Sequence, residues 1–418
     1  MTSELAATTS GDDAIAVSPA KRPRSRHMAE LDGVRGVAIL GVMLLHFVGS
    51  ISAQTTLERV VVKLSIYGVW GVDLFFVLSG FLITGILYDA KGSARYFKNF
   101  YARRTLRIFP LYYAVLAILV LLPVGAVSGV FGELAELQRV QGYLWPYLTN
   151  FYVAGTGSFS VPYVSHFWSL AVEEHFYLFW PFVVGSLSLV ATQRVSLFLM
   201  TLALGLRLFF SQDASSSVDA MKALVWTPCR LDALCCGAWF ALAVRSPARA
   251  AVERACKRLV PILAAVIVAL SAFHARTVAL DAWVLPLRGT ALALWFGAAI
   301  VELTSDHGLA IAKRAARAGW LRWLGRYSYG LYVFHGIVAY LSHEHAWEAR
   351  WTAATGSHTL AAVLVSLVGI GLSVAISVAS FELFEQPVLK LKRLFEYQPA
   401  AGSHEPPTGE GAHGAKSV

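Results

Sequence analysis

An all-α, polytopic membrane bundle of about ten transmembrane helices, with both termini in the cytoplasm, is the fold class this sequence predicts. Three observations lead there. Of 418 residues, 56% are hydrophobic and only 15% charged, with a mean hydropathy of +0.58, which is too apolar for an ordinary soluble domain of this length. Apolar stretches close to the ~20 residues a bilayer requires recur along the chain. Most of the 35 Lys and Arg residues fall in alternate connecting segments, which the positive-inside rule assigns to the cytoplasm. The net charge of +9 is largely this asymmetry, so no nucleic-acid partner is expected. A multi-pass cell-membrane protein is expected.

Residues 1–30 are rich in Ser, Thr and Ala, then basic (KRPRSRH), with no cleavable signal, and read as a disordered cytoplasmic leader. Residues 31–396 read as one transmembrane domain. Residues 397–418, rich in Pro, Gly and His, read as a disordered tail. The predicted spans run approximately 34–51, 69–88, 108–124, 167–190, 195–211, 231–245, 259–275, 285–303, 327–342 and 359–385.

The first span, VRGVAILGVMLLHF, contains Arg35 and His46. At ~100° per residue their separation is three turns plus ~20°, so both project from one helix face, ~16 Å apart along the axis. Ionisable groups at membrane depth are costly and face a bundle interior or a wet cavity. The second span opens with GVDLFFVLSGFL, placing Asp73 just below the outer surface, and NFYARRTLRIFP brings Arg103, Arg104 and Arg107 to the cytoplasmic boundary of the third. The fourth opens with HFWSLAVEEHFYLFWP, where Glu173 and Glu174 lie ~100° apart on the helix and so face different neighbours. RLDALCCG sets Arg230 and Asp232 at the start of the sixth, LGRYSYGLYVFH gives the ninth Ser328, Tyr329 and a deeper His335, and FELFEQP closes the tenth with Glu382 and Glu385.

The four cysteines form no disulfide framework or metal cluster by spacing, and no metal is expected. Walker, dinucleotide, HExxH and GxSxG motifs are absent, which argues against ATP-driven transport and the familiar hydrolases.

Taken together, the R-x10-H spacing of Arg35 and His46, the FFxLSGFL run at 75–82, RRxxRIxP at 103–110, SLxxEExFY at 169–177 and LGxxSYxxYxxH at 324–335 resemble the acyltransferase 3 family of membrane-bound O-acyltransferases over about residues 31–390. The resemblance implies an acyl-CoA donor substrate, commonly acetyl-CoA, and a hydroxyl acceptor on a polysaccharide, lipid-linked glycan, peptidoglycan or small natural product. It further implies the stand-alone form, without an extracytoplasmic hydrolase-like domain. On that footing Arg35, Arg104 and Arg107 are expected to grip CoA phosphates with bidentate guanidinium contacts, with Arg103 as a further candidate. Ser328 and Tyr329 are expected to hydrogen-bond the donor arm. His46 is the expected catalytic base, with Asp73 and Glu173 as equal candidates for the carboxylate that orients it, Glu174 beside them and His335 as a second proton carrier. Direct transfer and an acyl-enzyme route both stay open. The alternatives are a secondary exporter of a glycan or small alcohol, for which paired broken spans are missing, and an acyltransferase acting on a small natural product.

Overall fold

The computed structural model describes residues 28–213, 215–274 and 278–396; the expected leader up to residue 27 and the expected tail lie outside the described residues. All regular structure among these residues is helical. Ten long helices overlap the ten predicted stretches: α1 Ala29–Phe47, α2 Trp70–Asp89, α3 Tyr96–Leu121, α4 Trp168–Ser186, α5 Leu189–Phe210, α6 Thr227–Ala243, α7 Arg249–Phe273, α8 Val278–Thr304, α9 Gly319–Glu344 and α10 His358–Ser380. Among the described residues, six helical stretches are long and apolar enough to cross a membrane, namely Thr56–Asp89, Tyr96–Leu121, Leu189–Phe210, Arg249–Phe273, Asp281–Thr304 and His358–Phe395. The protein is therefore a multi-pass membrane protein. Its bundle turns large apolar side chains outward, Phe179, Phe198, Val268 and Leu367 among them, as a lipid solvent permits.

Several helices outrun their apolar stretches. α3 begins at Tyr96, a dozen residues before the predicted boundary, so Arg103, Arg104 and Arg107 stand on the helix itself. Hydropathy marks the hydrocarbon slab, whereas helix geometry continues until something stops it, and nothing in YFKNFYARRTL does. The same reason lengthens α7 and α9 at their N-termini. Ahead of α2 lies an amphipathic helix, Thr56–Ser65, started by a capping box in which Thr55 and Glu58 satisfy each other's backbone N–H groups. A 3-10 turn at Ile66–Val69 carries it into α2.

Two backbone contacts organise the interior. α1 lies directly on α9, where a Cβ on Gly36 would stand 2.0 Å from the Leu321 carbonyl oxygen and one on Gly325 1.9 Å from that of Asp32. α2 and α6 meet the same way through Gly80 and Gly237. Small residues let helices in lipid approach closely enough for dispersion to hold them. Around these contacts pack Ile39, Met43, Val77, Leu116 and Leu331, all essentially buried. Ser366 on α10 donates to the Phe47 carbonyl, 2.9 Å, and ties the last long helix to the first.

The connection between α3 and α4 folds as short helices, including Leu134–Leu144 and Thr149–Thr156, and is pinned to the end of α9. Tyr163 donates to Glu344 at 3.0 Å and Tyr340 donates to Glu133. Burial and the adjacent Glu344 carboxylate push the Tyr163 phenol well above its ordinary range, so it stays a donor at any physiological pH.

The α1–α9 contact leaves no room for a side chain. Gly36→Val and Gly325→Val should each lower the thermal unfolding midpoint of the detergent-solubilised protein or prevent its accumulation, with a cost of about 1–3 kcal/mol or more. Gly205→Ala, where a Cβ meets nothing within 4 Å, should leave the midpoint unchanged or raise it slightly. Equal midpoints in all three would remove the contact from its organising role.

Candidate functional site

At the end of the bundle marked by the first turns of α1 and the last turns of α2, a cavity of about 620 Å³ is lined by seven cationic side chains, Arg35, Arg103, Arg104, Arg107, Arg322, Arg326 and Lys392, and one carboxylate, Asp32. Ile83, Ile86, Phe100 and Phe381 complete its walls. Little protein charge offsets these groups. Arg35 reaches Asp32 at 3.2 Å and Arg326 reaches Glu382 at 3.0 Å. Arg103 instead donates to the Lys392 carbonyl at 3.2 Å, fastening the C-terminal segment across the mouth. A concave site with this excess of guanidinium groups is built for an anion of several charges.

Arg35, Arg104 and Arg107 also line a second, narrower cavity of about 100 Å³, deeper in the bundle, so these three arginines stand where the two adjoin. Its walls bring Phe75, Phe76 and Ser79 from α2 together with Ser169, Glu173 and Tyr177 from α4 and Ser328, Tyr329 and Tyr332 from α9. Ser79 donates to Glu173 at 2.6 Å and lies 2.8 Å from the Tyr177 hydroxyl. The Arg104 guanidinium stands 4.9 Å from the centre of the Tyr177 ring. Tyr329 donates to the Ile108 carbonyl, 2.6 Å, where α9 crosses α3.

Beyond Tyr332 comes a row of imidazoles. His46 and His335 have ring centroids 5.0 Å apart, and His335 and His166 are likewise 5.0 Å apart. The Tyr332 ring lies 5.4 Å from that of His335, and its hydroxyl pairs with Ser169 at 2.5 Å. His335 is fully buried; its Nδ1 sits 3.0 Å from the Leu331 carbonyl, while its Nε2 has no hydrogen-bond partner among the described residues. His166 reaches this row because α9 has no side chain at Gly336, where a Cβ would fall 2.2 Å from the ring. The His166 Nε2 lies 3.1 Å from the Val333 carbonyl.

The structure thus brings Arg35, Arg104, Arg107, Glu173, Ser328 and Tyr329 to one cavity and sets His46 and His335 in contact. Arg103 stands at the outer mouth only. The adjacent glutamates divide as their 100° offset requires: Glu173 faces the cavity, while Glu174 lies away from it with a buried, unpartnered Oε1. Asp73 is ion-paired with Arg230, on the side of α2 that faces α6, and lines a different cavity. His175 is engaged elsewhere, 2.7 Å from the Thr227 hydroxyl. Ser79, Ser169, Tyr177 and Tyr332 belong to the motif runs quoted above and are legible there as polar groups on apolar helices. Arg322 and Lys392 have no signal beyond ordinary cytoplasmic charge.

A protein-family model described as "Acyltransferase domain" matches residues 28–382. A Staphylococcus aureus (strain MSSA476) protein named "Putative O-acetyltransferase" is 31% identical over 233 residues, 52% of this chain and 35% of that protein. The peptidoglycan O-acetyltransferase OatA of Listeria monocytogenes is 31% identical over 167 residues, 37% of this chain and 24% of that protein. A Haemophilus influenzae protein without an assigned activity is 34% identical over 155 residues, 36% of this chain and 61% of that protein. The match to this chain spans about a third of the length of the first of these relatives. No solved structure matches the chain.

The fit of His166 against Gly336 can be read by a double-mutant cycle. Gly336→Ala alone should destabilise the folded protein by about 1–3 kcal/mol, because the new methyl collides with the ring. Combined with His166→Ala it should cost far less than the sum of the two single changes, since the colliding ring is gone. Simple additivity of the thermal midpoints would mean that the two residues do not touch.

Proposed function

The chain belongs to the acyltransferase family whose model it matches, and on that premise we propose that it is an integral-membrane O-acyltransferase moving an acyl group, acetyl above all, from acyl-CoA to a hydroxyl of a cell-envelope polysaccharide or lipid-linked glycan. The observation that carries the reading is a mouth lined by seven cations adjoining, at Arg35, Arg104 and Arg107, a narrow cavity of hydroxyls and a carboxylate whose Tyr332 lies beside the imidazole row. Coenzyme A has matching parts: a phosphorylated nucleotide for the wide cationic mouth and a slender neutral arm for the narrow cavity. Arg103, Arg104 and Arg107, with Arg35, Arg322 and Lys392, hold the phosphates. Ser328 and Tyr329 line the way for the arm. The names of the Staphylococcus and Listeria relatives support acetyl as the group and a sugar as the acceptor.

His46 is the catalytic residue of this reading. An imidazole takes the acceptor hydroxyl's proton near neutral pH as the oxygen attacks the thioester carbon, and the carbon–sulfur bond then breaks to release the CoA thiolate, which recovers a proton. His335, with an unpartnered nitrogen beside His46, is placed to share that proton with it. Glu173 is the carboxylate of the donor cavity, positioned by Ser79; Asp73 balances Arg230. In the membrane, all ten long helices cross, residues 31–396 act as one domain, and both termini lie in the cytoplasm, which opens the cationic mouth to cytosolic acyl-CoA.

One comparison separates donor binding from chemistry. Properly inserted His46→Ala should lose at least about a hundredfold of acyl transfer while binding labelled acetyl-CoA like the wild type. Arg35→Lys and Arg104→Lys should weaken acetyl-CoA binding by about tenfold, because an ammonium cannot reproduce the paired guanidinium contacts. Near-normal turnover by His46→Ala, or unchanged affinity in both Lys variants, would remove the corresponding role.

Sidedness is read independently. Single cysteines placed in a Cys-free variant at 52–67, 125–166 and 343–358 should react with an impermeant thiol reagent in intact cells, and those at 89–107 and 304–326 only after lysis. Labelling of 89–107 from outside would put the cationic mouth on the wrong face for a cytosolic donor.

A further inference from the structure

A third cavity, of about 400 Å³, lies at the opposite end of α2 from the cationic mouth and belongs to none of the roles above. Asp73 lines this one and Ile86 the other; thirteen residues of helix put them about 20 Å apart. The floor carries two arginines, Arg207 and Arg230, each more than nine-tenths buried. One terminal nitrogen of each, Nη2, is engaged: Arg207 reaches Asp232 at 2.5 Å and Thr290 at 2.6 Å, and Arg230 pairs with Asp73. The Nε–H of each is nonetheless buried without a partner among the described residues. Both side chains line the cavity, and a ligand carrying oxygen acceptors suits guanidinium N–H groups.

The walls narrow the chemistry. Trp70 and Trp168 line the cavity, and the rim carries Asp213, Asp281 and Arg288. The Arg288 guanidinium stands 6.0 Å from the centre of the Trp70 ring. Indole faces take the C–H faces of a pyranose, carboxylates accept its hydroxyls, and arginine N–H groups donate to its oxygens. A lipid tail would use the indoles alone and none of these polar groups. The cavity also abuts the donor path. Val72 lines both cavities, and Phe76 of the donor cavity packs edge-on against Trp168, with centroids 6.1 Å apart.

We propose that this cavity, between Trp70, Trp168 and the buried Arg207 and Arg230, is the binding site for the saccharide part of the acceptor, separated from the acyl donor by a wall one side chain thick. The assignment rests on the donor reading above. It places the sugar on the face of the bundle away from the cationic mouth, with the narrow donor cavity reaching from Val72, shared by the two cavities, to Tyr332 beside the imidazole row.

The test uses full-length protein and two readouts. In cells lacking the gene and complemented with each variant, acetate released from the envelope by mild alkali reports transfer whichever glycan carries the ester; labelled acetyl-CoA binding to purified protein reports the donor site. Ala223→Trp fills the cavity from the short helix Ser217–Val225, and Trp70→Ala removes an indole face. Both variants should insert normally, bind acetyl-CoA like the wild type, and release about tenfold less acetate. Wild-type acetate from both variants would overturn the saccharide site and leave the donor reading standing. Loss of acetyl-CoA binding together with acetate would overturn it as a site separate from the donor's. Wild-type protein that neither binds acetyl-CoA nor restores envelope acetate would sink the donor reading, and this site with it.

Discussion

The backbone contact between α1 and α9 fixes where the chemistry-bearing side chains fall. Gly36 meets the Leu321 carbonyl and Gly325 that of Asp32 at distances no side chain would tolerate, so the two helices cross near residues 34 and 323. Twelve residues further along each helix, about 18 Å, come His46 and His335, and their rings meet. Nearer the crossing, Arg35 shares a cavity with Ser328 and Tyr329. A single close approach therefore sets a cation at one depth and a pair of imidazoles at another. In lipid, where burying apolar area brings little, such an approach is held by dispersion between backbones, and its register is correspondingly strict.

The ionisable groups inside the bundle fall into two kinds. Arg207 with Asp232 and Arg230 with Asp73 are paired by the protein itself. Burying a charge inside a membrane protein without such a partner is expensive, and these pairs keep helices in register. Around the cationic mouth the balance is different, with seven cations lining the cavity against Asp32. That imbalance is unfavourable for the empty protein and favourable once an anion arrives, and it separates a binding surface from a structural ion pair more sharply than the count of arginines does.

Much of this was legible in the sequence because membrane depth leaves few readings for a polar residue. The helical stretches followed from hydropathy, and the shared face of Arg35 and His46 from helical pitch alone. The 100° between Glu173 and Glu174 foretold that only one would face a cavity, without saying which; that choice is made by Ser79 on a helix ninety-four residues earlier in the chain. Asp73 and Glu173 looked alike as partners for His46 because both lie just inside their helix starts, and only the facing of α2 toward α6 gives Asp73 to Arg230. The boundaries that moved, at α3, α7 and α9, moved because helices do not stop where hydrocarbon does. Arg322 and Lys392 were invisible as site residues, since a cytoplasmic cation looks the same whether it orients the chain or lines a cavity.

A transferase with its donor on one side of a membrane and its acceptor on the other faces a problem that a transporter solves by alternating access. The present arrangement needs no such motion of helices. α2 runs unbroken from Trp70 to Asp89, with the saccharide cavity proposed here against one end and the cationic mouth at the other. The narrow cavity proposed for the donor reaches Val72 and Phe76, which meet Trp168 of the other cavity, so a single layer of side chains separates the two. On the proposed function, a partition this thin lets donor and acceptor approach without a water-filled channel, so coenzyme A would stay on its own side of a sealed membrane.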